Sequence, residues 1–308
     1  MITAPTFCCC FWGLGSDGTV GSNKNSVAII GDNTDKYVQA YFAYDSKKSG
    51  GITISHLRFG DKPITSEYLI TAPNFVACHN QAYIGMYDMI SGIKENGTFL
   101  LNTSVPADQA FASLTKDMQK TIVEKKVKFF VVNALKVALE VGSPKYISTI
   151  MQTCFFKLAG IIPEDKAIGY IKKGIEKKFA KKGQEVVDQN KMCVDKALDG
   201  LTQVAVPASL DGVACYTPAP KFTAEMGDFA TKLMEPVLAQ KGDNVPVSAM
   251  SFDGSMPTGT ARFEKRGVAP KVPQWDSAKC IQCNQCVMSI GVDARTGLSG
   301  KFPIAGDQ

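Results

Sequence analysis

Phe7-Cys8-Cys9-Cys10-Phe11-Trp12-Gly13-Leu14-Gly15-Ser16-Asp17-Gly18-Thr19 is the stretch whose reading decides the fold. Its first eight residues, Phe7 to Leu14, are aromatic, cysteine or apolar up to a glycine-rich turn, which predicts a buried strand. The segment Val20 to Ile30 suits a helix ending near Gly31. Between them, Gly13-Leu14-Gly15-Ser16-Asp17-Gly18 fits G-x-G-x-x-G in the strand–turn–helix context where that spacing has physical meaning. Glycines allow the tight turn and close backbone approach, and the helix start offers free N–H groups to a phosphate. Asp32 and Asp35 are candidates for a ribose-binding acid, but each precedes the second strand and fits loosely. Three readings therefore stand at this point: a plain tight turn, a phosphate-binding turn, and a dinucleotide site.

Working outward, Tyr37 to Tyr44, Ile52 to Phe59, Asn74 to Ala77, Thr98 to Leu101 and Lys128 to Val132 read as further strands. Helical patterns cover Gln81 to Ile93, Ala107 to Lys125 and, with a fresh start at Pro163, Tyr146 to about Leu198. Strands alternating with helices predict an α/β fold, a Rossmann-like and largely parallel sheet flanked by helices. Beyond residue 208 the punctuation changes: Pro218, Pro220, Pro236, Pro246, Pro257, Pro270 and Pro273 interrupt short polar turns. The predicted organisation is an α/β domain over 1–208, an extended Pro/Gly-rich arm over 209–279 and a cysteine-bearing segment over 280–308.

Composition sets outer limits. The 308 residues are 45% hydrophobic and 20% charged, enough to build a core and too apolar for wholesale disorder. The net charge of +5 is mild. The most apolar segment, Val127 to Val141, carries Lys128, Lys136 and Glu140, so a membrane span is not expected. The first residues show neither a basic region nor a long apolar run, so no secretory signal is expected. No aromatic-interleaved basic module accompanies the lysines, so nucleic-acid binding is not expected.

The ten cysteines are placed unevenly. Cys8, Cys9 and Cys10 alternate direction on a strand and cannot all face one metal; buried packing is the better reading. Cys78 beside His79 is also assigned to the core. Cys280-x-x-Cys283-x-x-Cys286 is different, because thiolates at this repeat suit three corners of a cubane iron–sulfur cluster. Such a cluster needs four ligands, and the usual fourth cysteine does not follow, so the ligand set is incomplete. Cys215 is a distant candidate for the fourth. Lys172, Lys173, Lys177, Lys178, Lys181 and Lys182 spread over a broad helical face. A solvated surface is the favoured reading, with docking of a phosphate-rich ligand or an acidic redox partner as the alternative. Lys47, Lys48 and Arg58 lie near predicted strand ends, where a phosphate could be met.

The segments GLGSDGTVGSNKNS, YFAYDSKKSGGITISHLRFG, ACHNQAY, FFKLAGIIPEDKAI, PTGTARFEKRG and CIQCNQC together resemble the central part of the pyruvate:ferredoxin (flavodoxin) oxidoreductases. The resemblance runs from about Phe11 to Cys286. It implies that the turn residues Gly15, Ser16, Asp17, Gly18 and Thr19 help to bind coenzyme A rather than a nicotinamide dinucleotide. It further implies coenzyme A contacts from Lys47, Ser148 and Asn190. Ser148 stands where the family is expected to have Asn, which puts that contact in question. Cys280, Cys283 and Cys286 resemble three ligands of a [4Fe-4S] cluster in the family's ferredoxin-like domain.

The resemblance implies an enzyme that oxidatively decarboxylates pyruvate with coenzyme A, giving acetyl-coenzyme A and CO2 and reducing ferredoxin or flavodoxin. The full-length family enzyme binds thiamine diphosphate in domains that this sequence does not contain, so no catalytic residue is assigned and the chain is expected to be inactive alone. The tail after Cys286 does not resemble the family, and the chain is expected to be a fragment with a truncated ferredoxin-like segment. A homodimer is expected for the full enzyme, in the cytoplasm or in a hydrogenosome-like organelle of an anaerobic protist. Two rival readings are a non-catalytic NAD- or nucleotide-binding Rossmann-like module and a subunit of a split 2-oxoacid oxidoreductase.

Overall fold

The computed structural model describes residues 6–46, 50–65, 67–142, 147–263, 276–283 and 285. Strand β1 (Phe7–Leu14) is central: Cys9, Cys10, Phe11 and Trp12 are all buried, so both faces of the strand are covered. That is why it reads as a continuous apolar run rather than an alternation. It passes through the glycine turn into α1 (Thr19–Asn33), followed by β2 (Tyr37–Tyr44), β3 (Ile52–Gly60), β4 (Phe75–Cys78) and β5 (Thr98–Asn102). Then come α2 (Ala107–Ala110), α3 (Lys116–Glu124), β6 (Lys128–Val132), α4 (Ala134–Glu140), α5 (Ile147–Ala159), α6 (Glu164–Phe179), α7 (Gln184–Lys196) and the short β7 (Thr202–Gln203).

The strands form one seven-stranded sheet in the order β2-β3-β1-β4-β5-β6-β7. The α/β class is as expected, but the sheet is mixed. Strands β1, β4, β5 and β6 pair in parallel, whereas β3 runs antiparallel to both β1 and β2, and β7 is antiparallel to β6. The β2–β3 connection is a hairpin-like return, which the sequence signals only by Ser49-Gly50-Gly51. The side chains of Cys9, Phe11, Leu57, Phe75, Leu100 and Val132 pack on the layer made by α1 and α4 to α7. On the other face, Trp12 meets Tyr87, and Phe99 stacks on Phe129.

Two expected helices differ. Over Gln81 to Ile93 only Gln81–Tyr83 is helical, as a 3-10 turn. Tyr83, Tyr87 and Ile90 are buried at helix-like spacing, but Gly85 adopts φ +80 and breaks the path. The pattern Ala107 to Lys125 splits into α2 and α3 because Thr115 starts a new helix, its hydroxyl accepting from the Met118 N–H at 3.4 Å.

The chain divides into two compact units at Thr217 and Pro218. Residues 209–217 belong with the first unit: the Tyr216 N–H donates to the Leu114 carbonyl at 2.8 Å, and Gln119 Nε2 donates to the Ala214 carbonyl at 2.8 Å. In the second unit, Phe222, Ala230 and Met234 gather a small core around a π-helical turn, Phe229–Met234, that runs into α8 (Glu235–Leu238).

Candidate functional site: the cleft at the first strand-to-helix turn

The turn is held from within. Ser16 and Gly18 both take positive φ, +73 and +89, which reverses the chain within a few residues. The Asp17 carboxylate folds back over the turn and accepts from the Leu14 N–H at 2.8 Å and the Thr19 N–H at 2.7 Å. The Gly15 N–H donates to the Gly51 carbonyl at 2.8 Å, which ties the turn to the start of β3. Helix α1 makes its first backbone bond from the Ser22 N–H to the Gly18 carbonyl, at 3.0 Å. The N–H groups of Gly18, Val20 and Gly21 therefore have no partner among the described residues, as expected for the first turn of a helix.

A cleft of about 410 Å³ lies against this turn. Leu14 to Gly18, Val20 and Gly21 form one wall; Tyr44, Asp45, Gly51, Ile52 and Thr53 form the other. Thr53 is buried, and its hydroxyl has no hydrogen-bond partner among the described residues. The site is therefore a pocket whose one wall carries unpaired helix-start amides, with the unsatisfied Thr53 hydroxyl buried in the other wall. Such amides suit an anion with several acceptor oxygens.

Behind the turn sits a polar network that sequence reasoning missed. The Thr19 side chain points inward, its hydroxyl 2.8 Å from Nδ1 of the buried His79. Burial holds the His79 pKa below its ordinary value, opposed by the nearby Asp17 carboxylate. His79 Nε2 is buried with no partner among the described residues. The His79 carbonyl accepts from Asn102 Nδ2 at 2.9 Å, while Asn102 Oδ1 accepts from the Ala134 N–H at 3.0 Å. The Tyr83 hydroxyl donates to the Gly13 carbonyl at 3.1 Å. The carboxyl ends of β1, β4 and β5 are thus stitched together beneath the turn. From sequence, the one available signal was a histidine directly following an apolar strand.

The expected site residues fall into three groups. Gly15, Ser16, Asp17 and Gly18 line the cleft, whereas Thr19 is committed to the interior. Ser148, at the start of α5, reaches the turn: a Cβ on Gly18 would lie 2.6 Å from Ser148 Oγ. Asn190 is fully buried one layer behind, donating to the Val186 carbonyl at 2.7 Å and accepting from the Thr149 hydroxyl at 3.4 Å. Lys47 and Lys48 lie outside the described residues. Arg58 is not at the cleft; it is buried in β3, donating to Gln39 Oε1 at 2.8 Å and to the Tyr68 carbonyl, with its guanidinium over the Tyr68 ring. Asp32 lies exposed near the far end of α1, and Asp35 follows the helix end.

The thiols divide by burial. Cys9 and Cys10 are buried in β1; desolvation raises both pKa values, that of Cys10 to about 12. Burial likewise pushes Cys78 and Cys154 up to about 12. Cys280 and Cys283 are exposed, and Cys286 lies outside the described residues. The described part of the motif thus offers two of the four thiolates that a cubane cluster needs, which does not make a cluster site by itself.

The comparisons agree with this architecture. The family described as "Pyruvate ferredoxin/flavodoxin oxidoreductase" matches residues 8–200, and one described as "Domain of unknown function" matches 217–269. The pyruvate:ferredoxin oxidoreductase of Moorella thermoacetica is 51% identical over 287 residues, covering 92% of this chain and 24% of that protein. The pyruvate-flavodoxin oxidoreductase of Rhodospirillum rubrum is 48% identical over 278 residues, covering 90% of this chain and 23% of that protein. The chain therefore spans about a quarter of the length of the curated relatives it matches. The crystal structure of pyruvate oxidoreductase subunit PORC from Thermotoga maritima shares the fold, with a TM-score of 0.50 at 22% identity over 64% of this chain and 98% of that one.

Proposed function

The chain belongs to the pyruvate ferredoxin/flavodoxin oxidoreductase family, and from that premise we propose that its first unit binds coenzyme A in the cleft at the β1–α1 turn. The observation that carries this reading is the set of unpaired N–H groups of Gly18, Val20 and Gly21 on a wall of the cleft. A pyrophosphate placed there accepts from those amides and meets the positive end of the α1 dipole. Asp17 does not compete for the same groups, because its carboxylate is spent on Leu14 and Thr19. Its role is to hold the turn open in the ligand-binding shape. Ser148, beside Gly18, offers a hydroxyl at the same edge. Lys47 belongs to the segment that follows Asp45 of the opposite wall and supplies a phosphate-pairing charge.

The chain's part in the reaction is then to present the acyl acceptor. Residues of the turn fix the phosphates, and the pantetheine arm carries its thiol away from this anchor towards the acyl donor. Pyruvate decarboxylation and electron delivery to ferredoxin or flavodoxin belong to the longer family enzyme, where thiamine diphosphate supplies the carbanion chemistry. Cys280, Cys283 and Cys286 would hold a [4Fe-4S] cluster there together with a fourth ligand, and the cluster would supply electron transfer. The full enzyme is a soluble homodimer of the cytoplasm or of a hydrogenosome-like organelle. Among the described residues no helix is long and apolar enough to cross a membrane.

The topology favours this over the dinucleotide reading. In a dinucleotide fold the second strand lies beside the first and its end carries the ribose-binding acid. Here β3 intervenes between β1 and β2. Thermal-shift titration separates the two. Coenzyme A at a hundredfold excess over its Kd stabilises the chain by about 2.7 kcal/mol, and NAD has no effect. Stabilisation by NAD and not by coenzyme A contradicts the proposal.

A further inference from the structure

Helix α6 approaches α1 through residues one turn apart. A Cβ on Gly174 would lie 2.8 Å from Asn25 Oδ1, and a Cβ on Gly21 would lie 3.2 Å from Lys178 Nζ. Gly174 and Lys178 share one face of α6, and Asn25 and Gly21 share one face of α1. The pairing 174 with 25 and 178 with 21 makes the two helices antiparallel at this contact. The absence of a side chain at Gly174 lets the helices close, and that closeness delivers the Lys178 ammonium to the first turn of α1. Gly21 is itself a wall residue of the cleft.

The charge that arrives there is unpaired. Two other ions of α6 are paired: Lys172 meets Asp195 at 2.5 Å, and Glu176 meets Lys191 at 2.5 Å. Lys178 and Lys182 meet no carboxylate among the described residues. Both ammonium groups lie over the ring of Phe179, 5.2 and 5.4 Å from its centroid. Partial burial, and then repulsion from Lys182, lowers the Lys178 pKa. Lys178, at the first turn of α1, feels both the positive end of that helix and the like charge of Lys182, and an anion bound there relieves both repulsions.

We propose that Lys178, whose ammonium reaches Gly21 of the cleft wall, and Lys182, the second ammonium over Phe179, add phosphate-binding charge at the edge of the cleft and select a polyphosphorylated ligand. The assignment rests on the coenzyme A reading above and adds a second anchor from a different helix. Lys173, Lys177, Lys178 and Lys182 are all exposed. Lys178 is singled out by its approach to Gly21 and Lys182 by sharing the Phe179 ring with it, and the solvated-surface reading stays in place for Lys173 and Lys177.

The test is calorimetric titration of the full chain, as wild type, Lys178→Ala/Lys182→Ala and Lys178→Arg/Lys182→Arg, with coenzyme A, 3′-dephospho-coenzyme A and phosphate-free pantetheine. Circular dichroism melting confirms that each variant is folded. The alanine pair is expected to bind coenzyme A about tenfold more weakly, with a shallower salt dependence, while the arginine pair keeps its affinity. Pantetheine, lacking phosphate, does not distinguish the three proteins. The dephospho compound shows which phosphate is read: a loss confined to coenzyme A assigns the 3′-phosphate, and an equal loss for both assigns the pyrophosphate. If wild type and alanine pair bind coenzyme A equally, with one salt dependence, the lysine assignment is wrong though the coenzyme A reading stands. If wild type does not bind coenzyme A, that reading fails, and inorganic pyrophosphate becomes the probe. Tighter pyrophosphate binding by wild type than by the alanine pair then supports the lysines, and equal or absent binding overturns them.

Discussion

His79 Nδ1 and Thr19 Oγ1 lie 2.8 Å apart, both residues buried, and this contact fixes the start of α1 against the end of β4. Thr19 is the first residue of α1, and its own N–H is held by Asp17 at 2.7 Å. The helix start is therefore clamped from two sides, leaving the next amides free for a ligand.

Burial of the two histidines makes stability pH-dependent. His56 has its pKa lowered to about 4, first by burial and then by Arg58, and His79 is also lowered. The Ile70 N–H lies 3.3 Å from His56 Nδ1, so that nitrogen is an acceptor and the ring is neutral. Below about pH 6.5 the unfolded chain takes up protons that the folded chain refuses, so stability falls with falling pH. For His56 the loss begins near the unfolded pKa, grows until about pH 4 and amounts to on the order of 3 kcal/mol. Urea denaturation from pH 7.5 to 4 should show this slope, reduced in His56→Gln; parallel curves for the two proteins contradict it.

Gly18→Ala should destabilise the first unit by about 1–2 kcal/mol through its left-handed backbone alone. The added methyl also meets Ser148 Oγ at 2.6 Å. Ser148→Ala in the same chain should recover part of the loss, because it removes the nearer contact and leaves the backbone strain. A double-mutant cycle by denaturant unfolding measures the coupling. Strict additivity contradicts the contact.

Thiol reactivity should follow burial. Under native conditions iodoacetamide is expected to label Cys280 and Cys283 first and to spare Cys9, Cys78 and Cys154 until the chain is unfolded. Peptide mass spectrometry of a time course reads the order. Early labelling of Cys78 would mean that β4 is not packed as described.

Much of the fold was legible because runs of aromatic and apolar residues bounded by turn residues coincide with strands, whether buried as β1 or largely uncovered as β2. Phe7 to Leu14, Tyr37 to Tyr44 and Lys128 to Val132 fall on the predicted residues. The mixed pairing was not legible, since a strand's own residues do not say which neighbour it joins or in which direction. The helix expected over Gln81 to Ile93 failed because burial at positions 83, 87 and 90 mimics a helical stripe, while Gly85 and local turns set the path. At the site, the glycine turn was visible in four adjacent residues, Gly15 to Gly18. Thr53 and His79 were not, because each is brought in from another element, and the lysine cluster that contains Lys178 was visible without its position beside the turn. Arg58 misled because a charge on a strand was read as a rim residue, whereas Gln39 and the Tyr68 carbonyl satisfy it internally.

The most direct measurement is a coenzyme A titration followed through the backbone amide resonances of 15N-labelled chain. The account predicts that the signals of Gly18, Val20 and Gly21 shift and saturate with one dissociation constant, while Leu14 and Thr19, already bonded to Asp17, move less. Binding that leaves Gly18, Val20 and Gly21 unmoved, or no binding at millimolar coenzyme A, contradicts it.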